Sequence, residues 1–197
     1  MDLAPPNAAV ELTAAIQEYR NTDDVGTLFD RVRRLAEVVE PDALAAAVAP
    51  FSDIPEIVIP VYERLVASRP NDAQTMVVLA NAYWLTGRGP DTVGDLASRA
   101  IAADPANRGA WHLWCLAEPN VRERVTRWQQ VAQRFPTDQL ARAALADNAA
   151  SLAGAEHDPL ALDLAIVTYD SLLAEATHPK QRAALESTLR TLRGWKL

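Results

Sequence analysis

Three histidines and one cysteine are the side chains best suited to metal or nucleophilic work in this chain: His112, His157, His178 and Cys115. Structural metal sites gather their donors as close pairs converging with further pairs. His112 stands three residues before Cys115, so on a helix the two share a face, but no third donor accompanies them, and nearby Glu118 reads as a surface residue. Cys115 is expected to be a buried structural thiol. A lone cysteine allows no intramolecular disulfide, and a reducing compartment is the simplest expectation. Gly87-Arg-Gly89 lacks the length and the Lys-Ser/Thr of a phosphate loop, and its glycines suit a turn between helices. No Gly-x-Ser-x-Gly elbow or zinc-protease motif occurs. Asp23-Asp24 reads as a helix start favoured by the macrodipole. These residues assign no catalytic site, no metal and no cofactor.

Binding chemistry is better represented. Four of the five tryptophans, Trp84, Trp111, Trp114 and Trp128, crowd the middle of the chain. Trp111, Trp114 and Trp128 fall where helices should pack on one another. Trp84 directly follows Tyr83, so it sits about 100° around the helix from that core position. Two environments are open to it: an exposed anchor for a partner, or burial under a neighbouring element. A basic strip, Arg122, Arg124, Arg127 and Arg134, lies on a helix whose inward stripe is Val121, Val125, Trp128 and Val131. Those arginines should project outward, either solvated and paired with local acids such as Glu123, or meeting an acidic partner. The acidic front half of a second copy would be one such partner.

The charge balance narrows the partner class. The 197 residues carry a net charge of −7, with 49% hydrophobic and 6% aromatic residues. Residues 1–80 hold 13 acids and 6 bases, and residues 81–197 hold 13 of each. An acidic front half argues against nucleic acid and against an anionic membrane surface. Arg outnumbers Lys 17 to 2, which fits genome composition better than recognition chemistry. No basic, apolar leader opens the sequence, and no apolar run approaches the roughly 18–20 residues of a membrane span. A soluble, cytoplasmic protein is expected.

The elements that must position these residues are helices. Apolar content is carried by Ala, Leu and Val, glycine is scarce at 7, and proline reaches 13. The strongest strand candidate, 54–62, holds two prolines and does not alternate. Its apolar positions 54, 57, 58, 61, 62, 65 and 66 recur at helical spacing. Pro60 is then either early enough to be tolerated or a kink. Pro41, Pro90, Pro119, Pro159 and Pro179 each open a periodic run, and Asn71 and Asp158 are candidate N-caps. The spacing predicts helices at 7–20, 24–39, 41–50, 53–68, 72–86, 90–103, 107–117, 119–134, 138–153, 159–176 and 179–193. Short connections predict antiparallel neighbours.

Four helix ends repeat: Arg69-Pro-Asn-Asp72, Asp104-Pro-Ala-Asn107, Phe135-Pro-Thr-Asp138 and His178-Pro-Lys-Gln181. Their prolines are 35, 31 and 43 residues apart. Positions eight, five and four before the first three prolines are apolar each time, and Tyr169 plays the first of these roles before Pro179 if two residues are inserted. Over residues 73–106, Leu79-Ala80, Tyr83, Gly87, Ala100-Ile101 and Asp104-Pro105 resemble the tetratricopeptide repeat (TPR), a helix-turn-helix unit of about 34 residues. The resemblance covers 53–179 and is closest over 70–136. The following units depart from it, one with a shortened turn and one with a lengthened turn at Gly154-Ala-Glu-His-Asp158.

The resemblance implies an all-α, right-handed α-solenoid of about five antiparallel helix pairs plus a C-terminal capping helix. It would be a single domain with degenerate helices at 1–52, a repeat region at 53–179 and a cap and tail at 180–197, where Trp195 and Leu197 fold back on the last helix. It further implies a non-catalytic scaffold or adaptor whose first helices line a concave groove for another protein or peptide. Carried over by position, that groove is Gln74, Val77, Asn81, Trp84 and Leu85, then Gly109, His112 and Leu116, then Leu140, Ala143 and Asp147. Asn81 matches the family's peptide-backbone-binding asparagine. Val77 and His112 stand where a carboxylate clamp would have Lys, so a chaperone-tail clamp is not expected. The mostly apolar groove suits an amphipathic helix or apolar peptide. A self-associating structural subunit, as a homodimer or a fixed component of a larger complex, is the alternative. An enzyme with an unfamiliar site is the third reading.

Overall fold

Helix boundaries follow from the residues that can satisfy unpaired N–H groups. The computed structural model describes residues 7–196. They form α1 (Ala8–Thr22), α2 (Val25–Val38), α3 (Pro41–Val48), α4 (Pro55–Ser68), α5 (Ala73–Leu85) and α6 (Pro90–Ala103). Then come α7 (Arg108–Leu116), α8 (Val121–Arg134), α9 (Gln139–Glu156), α10 (Pro159–Glu175) and α11 (Pro179–Arg193). A short 3₁₀ turn, Ala49–Phe51, follows α3, and no strand forms among the described residues. Every helix stands where the periodicity places it, with no boundary more than three residues away.

The differences sit at the caps. Asp72, not Asn71, caps α5. Its Oδ1 accepts the Thr75 N–H at 3.2 Å and its Oδ2 the Thr75 hydroxyl at 2.7 Å. Pro119 does not open α8, because Asn120 follows it and accepts from the Glu123 N–H at 3.1 Å, so the helix starts at Val121. Asp23 and Asp24 divide between two helices. Asp23 ends α1 in the left-handed region at φ 54°, and Asp24 caps α2. The supposed long turn 154–158 is mostly helix, since α9 continues to Glu156 and His157 ends it at φ 53°. Pro70, Pro105 and Pro136 each follow a residue that has left the helical region and ends a helix, as the clash of the proline ring with a helical preceding residue favours. Pro179 differs from these three, because it is the first residue of α11 behind the His178 cap. Pro60 lies in the second turn of α4 and is buried.

Asp72 gives a first test. Its carboxyl is held below the ordinary 3.8 by the Thr75 hydroxyl and by nearby N–H groups, against the opposing effect of partial burial. A carboxylate lowered in the folded state stabilises above the unfolded value and loses that contribution as pH falls through the folded value. Asp72→Ala should therefore cost about 1 kcal/mol at pH 7, with a difference from wild type that shrinks as pH drops below 3.8. Asp72→Asn should keep most of the cap without that pH dependence. Urea midpoints between pH 7 and pH 3 read both effects.

The helices form two compact units, one ending at Leu113 and the other beginning at Trp114. In the first, α1 packs on α2 and α3, α2 on α4, α3 on α4, α4 on α5 and α5 on α6. Its core holds Leu12, Leu28, Val32, Leu44, Ile57, Leu65, Met76 and Ala97, all buried. In the second, α8 packs on α9, α9 on α10 and α10 on α11. There Ala146, Ala149, Ala153 and Ala165 are fully buried, small faces that let helices approach closely around Val125, Trp128 and Val131. The last helix buries Leu189 and Leu192 and leaves Gln181, Arg182, Glu186, Arg190 and Arg193 in water or at its edge, the wet face a terminal helix needs. Trp195 donates its N–H back to the Leu192 carbonyl of α11 at 3.1 Å. Its ring covers Gly154 of α9, where an added Cβ would stand 3.3 Å from it. The expectation for Leu197 lies outside the described residues.

Candidate functional site

A cleft opens between α5 and the start of α4. The residues Val77, Asn81 and Leu85 follow one another at four-residue spacing, so they form a single stripe along α5. In stacked hairpins this face would meet the first helix of the preceding pair. That helix, α3, has only 8 residues against the 13 of α5. The cleft beside α5 measures about 310 Å³, with Val77, Val78, Asn81, Ala82 and Leu85 on one wall and Ser52 with Pro55 and Val58 of α4 on the other. Asn81 and Leu85 are exposed and Val77 is half-buried. The lining carries no charged side chain. It offers two polar groups, the Asn81 amide and the Ser52 hydroxyl, in an apolar trough.

Trp84 adjoins this stripe. It lies three residues beyond Asn81 and directly before Leu85, and it is 41% exposed. Of its two possible environments it takes the open one. Its neighbour Tyr83 turns the other way, donating its hydroxyl to Glu63 of α4 at 2.7 Å. Burial and that carboxylate push the Tyr83 phenol up to about 12. Tyr83 thus ties α5 to α4 and leaves Trp84 and Leu85 on the surface.

Of the other groove positions, Gly109 lies against Val77, where an added Cβ would stand 3.1 Å from its Cγ1, and the rest lie outside the lining of this cleft. Gln74 accepts from the Asn107 side-chain amide at 3.4 Å. His112 is half-buried and Leu116 exposed on α7. Asp147 accepts the hydroxyl of Tyr169, bracing α9 against α10, and burial followed by that carboxylate raises the Tyr169 phenol. The cleft gains instead Ser52, Pro55, Val58, Val78 and Ala82, none of them singled out from sequence. The first three lie at the entry to α4, where the helical periodicity carried no sign of a cleft wall.

The arginine strip is held within its own unit. Arg122 binds Asp158 at 2.9 Å and also reaches Glu156. Arg124 donates to the Asn148 side chain at 2.8 Å and to the Glu118 carbonyl at 2.8 Å. Arg127 donates to the Trp114 carbonyl at 2.7 Å, pairs with Glu118 at 2.6 Å, and lies 4.3 Å from the Trp114 ring centre. Arg134 lies over Phe135 at 5.6 Å. Arg122 and Arg127 thus pair with the acids Glu156, Asp158 and Glu118. Trp128 is buried, while Trp111 and Trp114 are half-buried, with the Trp111 Nε1–H donating to the Pro105 carbonyl at 3.0 Å.

Cys115 is buried, and that burial pushes its thiol up to about 12, far from a reactive thiolate. Among the described residues no group of three or more His, Cys, Asp or Glu side chains is placed to hold a metal ion. None of the described helices is long and apolar enough to cross a membrane.

No known protein-family pattern matches the chain, and no curated protein matches it. Solved structures do share its fold. The crystal structure of MamA matches with a TM-score of 0.59 at 13% identity, covering 82% of this chain and 96% of MamA. A thermophilic TPR protein of Thermus thermophilus matches with a TM-score of 0.55 at 19% identity, covering 92% of this chain and 98% of that one. A MamA double mutant matches with a TM-score of 0.54 at 14% identity, covering 94% and 98%.

Proposed function

Because the chain carries a TPR-like, all-α solenoid fold, we propose that it is a non-catalytic interaction scaffold that docks an apolar peptide or amphipathic helix of another protein against α5. The observation that supports this reading is the uncharged cleft of about 310 Å³ along Val77, Asn81 and Leu85. Trp84 and Leu85, 41% and 63% exposed, stand beside it as large apolar groups left in water. A helical ligand would set successive apolar side chains into such a trough at i, i+3 or i+4 and i+7. The Asn81 amide would anchor one backbone group, and Trp84 would close over the ligand as an aromatic hot spot.

The test uses helical peptides with varied apolar faces, selected by display on the full chain and then measured in solution. Leu85→Glu should weaken a selected peptide by about tenfold or more, because a carboxylate would be left against an apolar surface. Trp84→Ala should weaken it by a comparable factor. Both side chains are exposed, so neither change should alter the helical content. Peptides that bind Leu85→Glu and Trp84→Ala as well as wild type would remove the α5 cleft from the function.

A further inference from the structure

The cleft along α5 is apolar within, but its two ends differ in charge. Helix α4 packs on α5 across a short connection, so the entry to α4 lies beside the exit of α5. Two acids stand there. Asp53 and Glu56 are the chain neighbours of the wall residues Ser52 and Pro55. Asp53 is exposed and Glu56 half-buried, and neither forms an ion pair among the described residues. Other acids of this stretch are engaged, since Asp42 pairs with Arg69 and Glu63 accepts from Tyr83. No basic residue falls between Arg34 and Arg64, a span that holds six acids, so nothing local in sequence offsets Asp53 and Glu56. Arg88, the first base after α5, lies over the Tyr83 ring at 5.7 Å. The start of α4 and the end of α5 carry dipole ends of opposite sign, which offset one another. The carboxylates therefore set the charge of this end.

The opposite end is basic. There the Asn107 side chain donates to Gln74 at 3.4 Å, and Gly109 lies against Val77. Between them Arg108, the first residue of α7, is exposed and in no ion pair among the described residues. A ligand lying along Val77, Asn81 and Leu85 thus meets carboxylates at one end and a guanidinium at the other.

We propose that the occupant of the α5 cleft is an amphipathic helix with basic residues at one end, and that this end lies over Asp53 and Glu56. The inference rests on the docking reading above and adds the charge and placement of the ligand. The apolar face supplies the affinity in the trough. The rim carboxylates are solvated, so they act on encounter and on choice of partner more than on strength of binding. A basic group at the other end would face Arg108 and be disfavoured.

The test titrates the full chain, followed by two-dimensional NMR, with end-blocked helical peptides of Ala and Gln carrying leucines at i, i+3, i+4 and i+7. Three versions differ only in the two positions before the first leucine, which hold Lys, Gln or Glu. The Lys peptide should bind about fivefold tighter than the Gln peptide at low salt, with the Glu peptide weakest. The gap should close in high salt, because exposed charges are screened. Lysines at a helix start lower the free peptide's own helicity, so helicity does not produce this order. Asp53→Asn combined with Glu56→Gln should abolish the preference for Lys over Gln. Asp53→Asn alone, at an exposed position, should narrow it and serves where the pair does not fold. A spin label on the Lys end should broaden the amide signals of Ser52 and Val58 more than those of Gln74 and Arg108. Equal binding of all three peptides, each weakened by Leu85→Glu, would overturn the charge assignment and leave the docking reading standing. Binding that Leu85→Glu does not weaken would remove the cleft, and this inference with it. No saturable binding of the Lys peptide would also overturn it. A dimer of the chain that Leu85→Glu dissociates would then make a second copy the occupant.

Discussion

Trp128→Ala is expected to destabilise the unit beginning at Trp114 by about 3–5 kcal/mol, the range for deleting a fully packed aromatic side chain. Trp128 is 2% exposed and sits midway along α8 between the buried Val125 and Val131. The helix α9, which packs on α8, buries Ala141, Ala146 and Ala149 completely beside Leu145 and Leu152. Alanines have no side-chain rotamers with which to fill the space an indole leaves, so the cavity should persist and contribute its own cost. A typical domain is stable by only about 5–15 kcal/mol, and a change of this size removes a large part of that margin. Urea denaturation followed by circular dichroism reads it directly. Trp128→Phe should recover roughly half of the loss, because the smaller ring keeps most of the apolar contact. A loss below about 1 kcal/mol for the alanine variant would show that α8 and α9 collapse onto each other without the indole.

The same alanines explain why the helices were legible. Stripes such as Val125, Trp128 and Val131 repeat at helical spacing, and proline, Asp or Asn stands at nearly every boundary. These are local signals, and local signals survive in one dimension. The caps were harder, because Asn71 and Asp72 are both good capping residues and only backbone dihedrals decide between them. Asp72 adopts φ −87° and ψ 99°, the extended geometry a cap requires. The cleft was half legible. Val77, Asn81 and Leu85 follow from the resemblance of α5 to a repeat's first helix, but Ser52, Pro55 and Val58 lie at the entry to α4. That depends on a chain reversal at Ala49–Phe51, which no periodicity encodes.

Asp147 and the arginines mark a different limit. A helical wheel places the Cβ atom, and it correctly sets Asp147 on a wet face of α9 and Arg127 outside the inward stripe of α8. It says nothing about where the far end of a flexible side chain goes. Tyr169 reaches to Asp147 and occupies one of its carboxylate oxygens. The guanidiniums of Arg122, Arg124 and Arg127 reach back to acids and carbonyls of neighbouring segments. Long polar side chains routinely combine an outward stem with an inward use of this kind, so a charged stripe alone does not define a docking surface.

Arg127 is the strongest case, and its removal carries the second largest expected effect. The last turn of α7 presents carbonyls without helical N–H partners, and the Trp114 carbonyl is one of these. Arg127 donates to it at 2.7 Å, holds Glu118 at 2.6 Å and stacks on the Trp114 indole. One side chain therefore serves a helix end, an acid with only 13% of its side chain exposed, and an aromatic face. Arg127→Ala should cost about 2–3 kcal/mol, less than a fully buried pair because Arg127 itself retains some contact with water. Arg127→Lys should recover only a minor part, since an ammonium lacks the planar fork that reaches a carbonyl and a carboxylate together. In a double-mutant cycle with Glu118→Gln, the coupling should exceed the roughly 0.2–1 kcal/mol of an exposed pair. It should also change little between low and high salt, because partly buried charges are poorly screened. A loss within about 0.5 kcal/mol for Arg127→Ala, the size of an ordinary surface substitution, would return the arginine to the solvated face that the helical wheel assigns it. The strip would then be free to meet a partner.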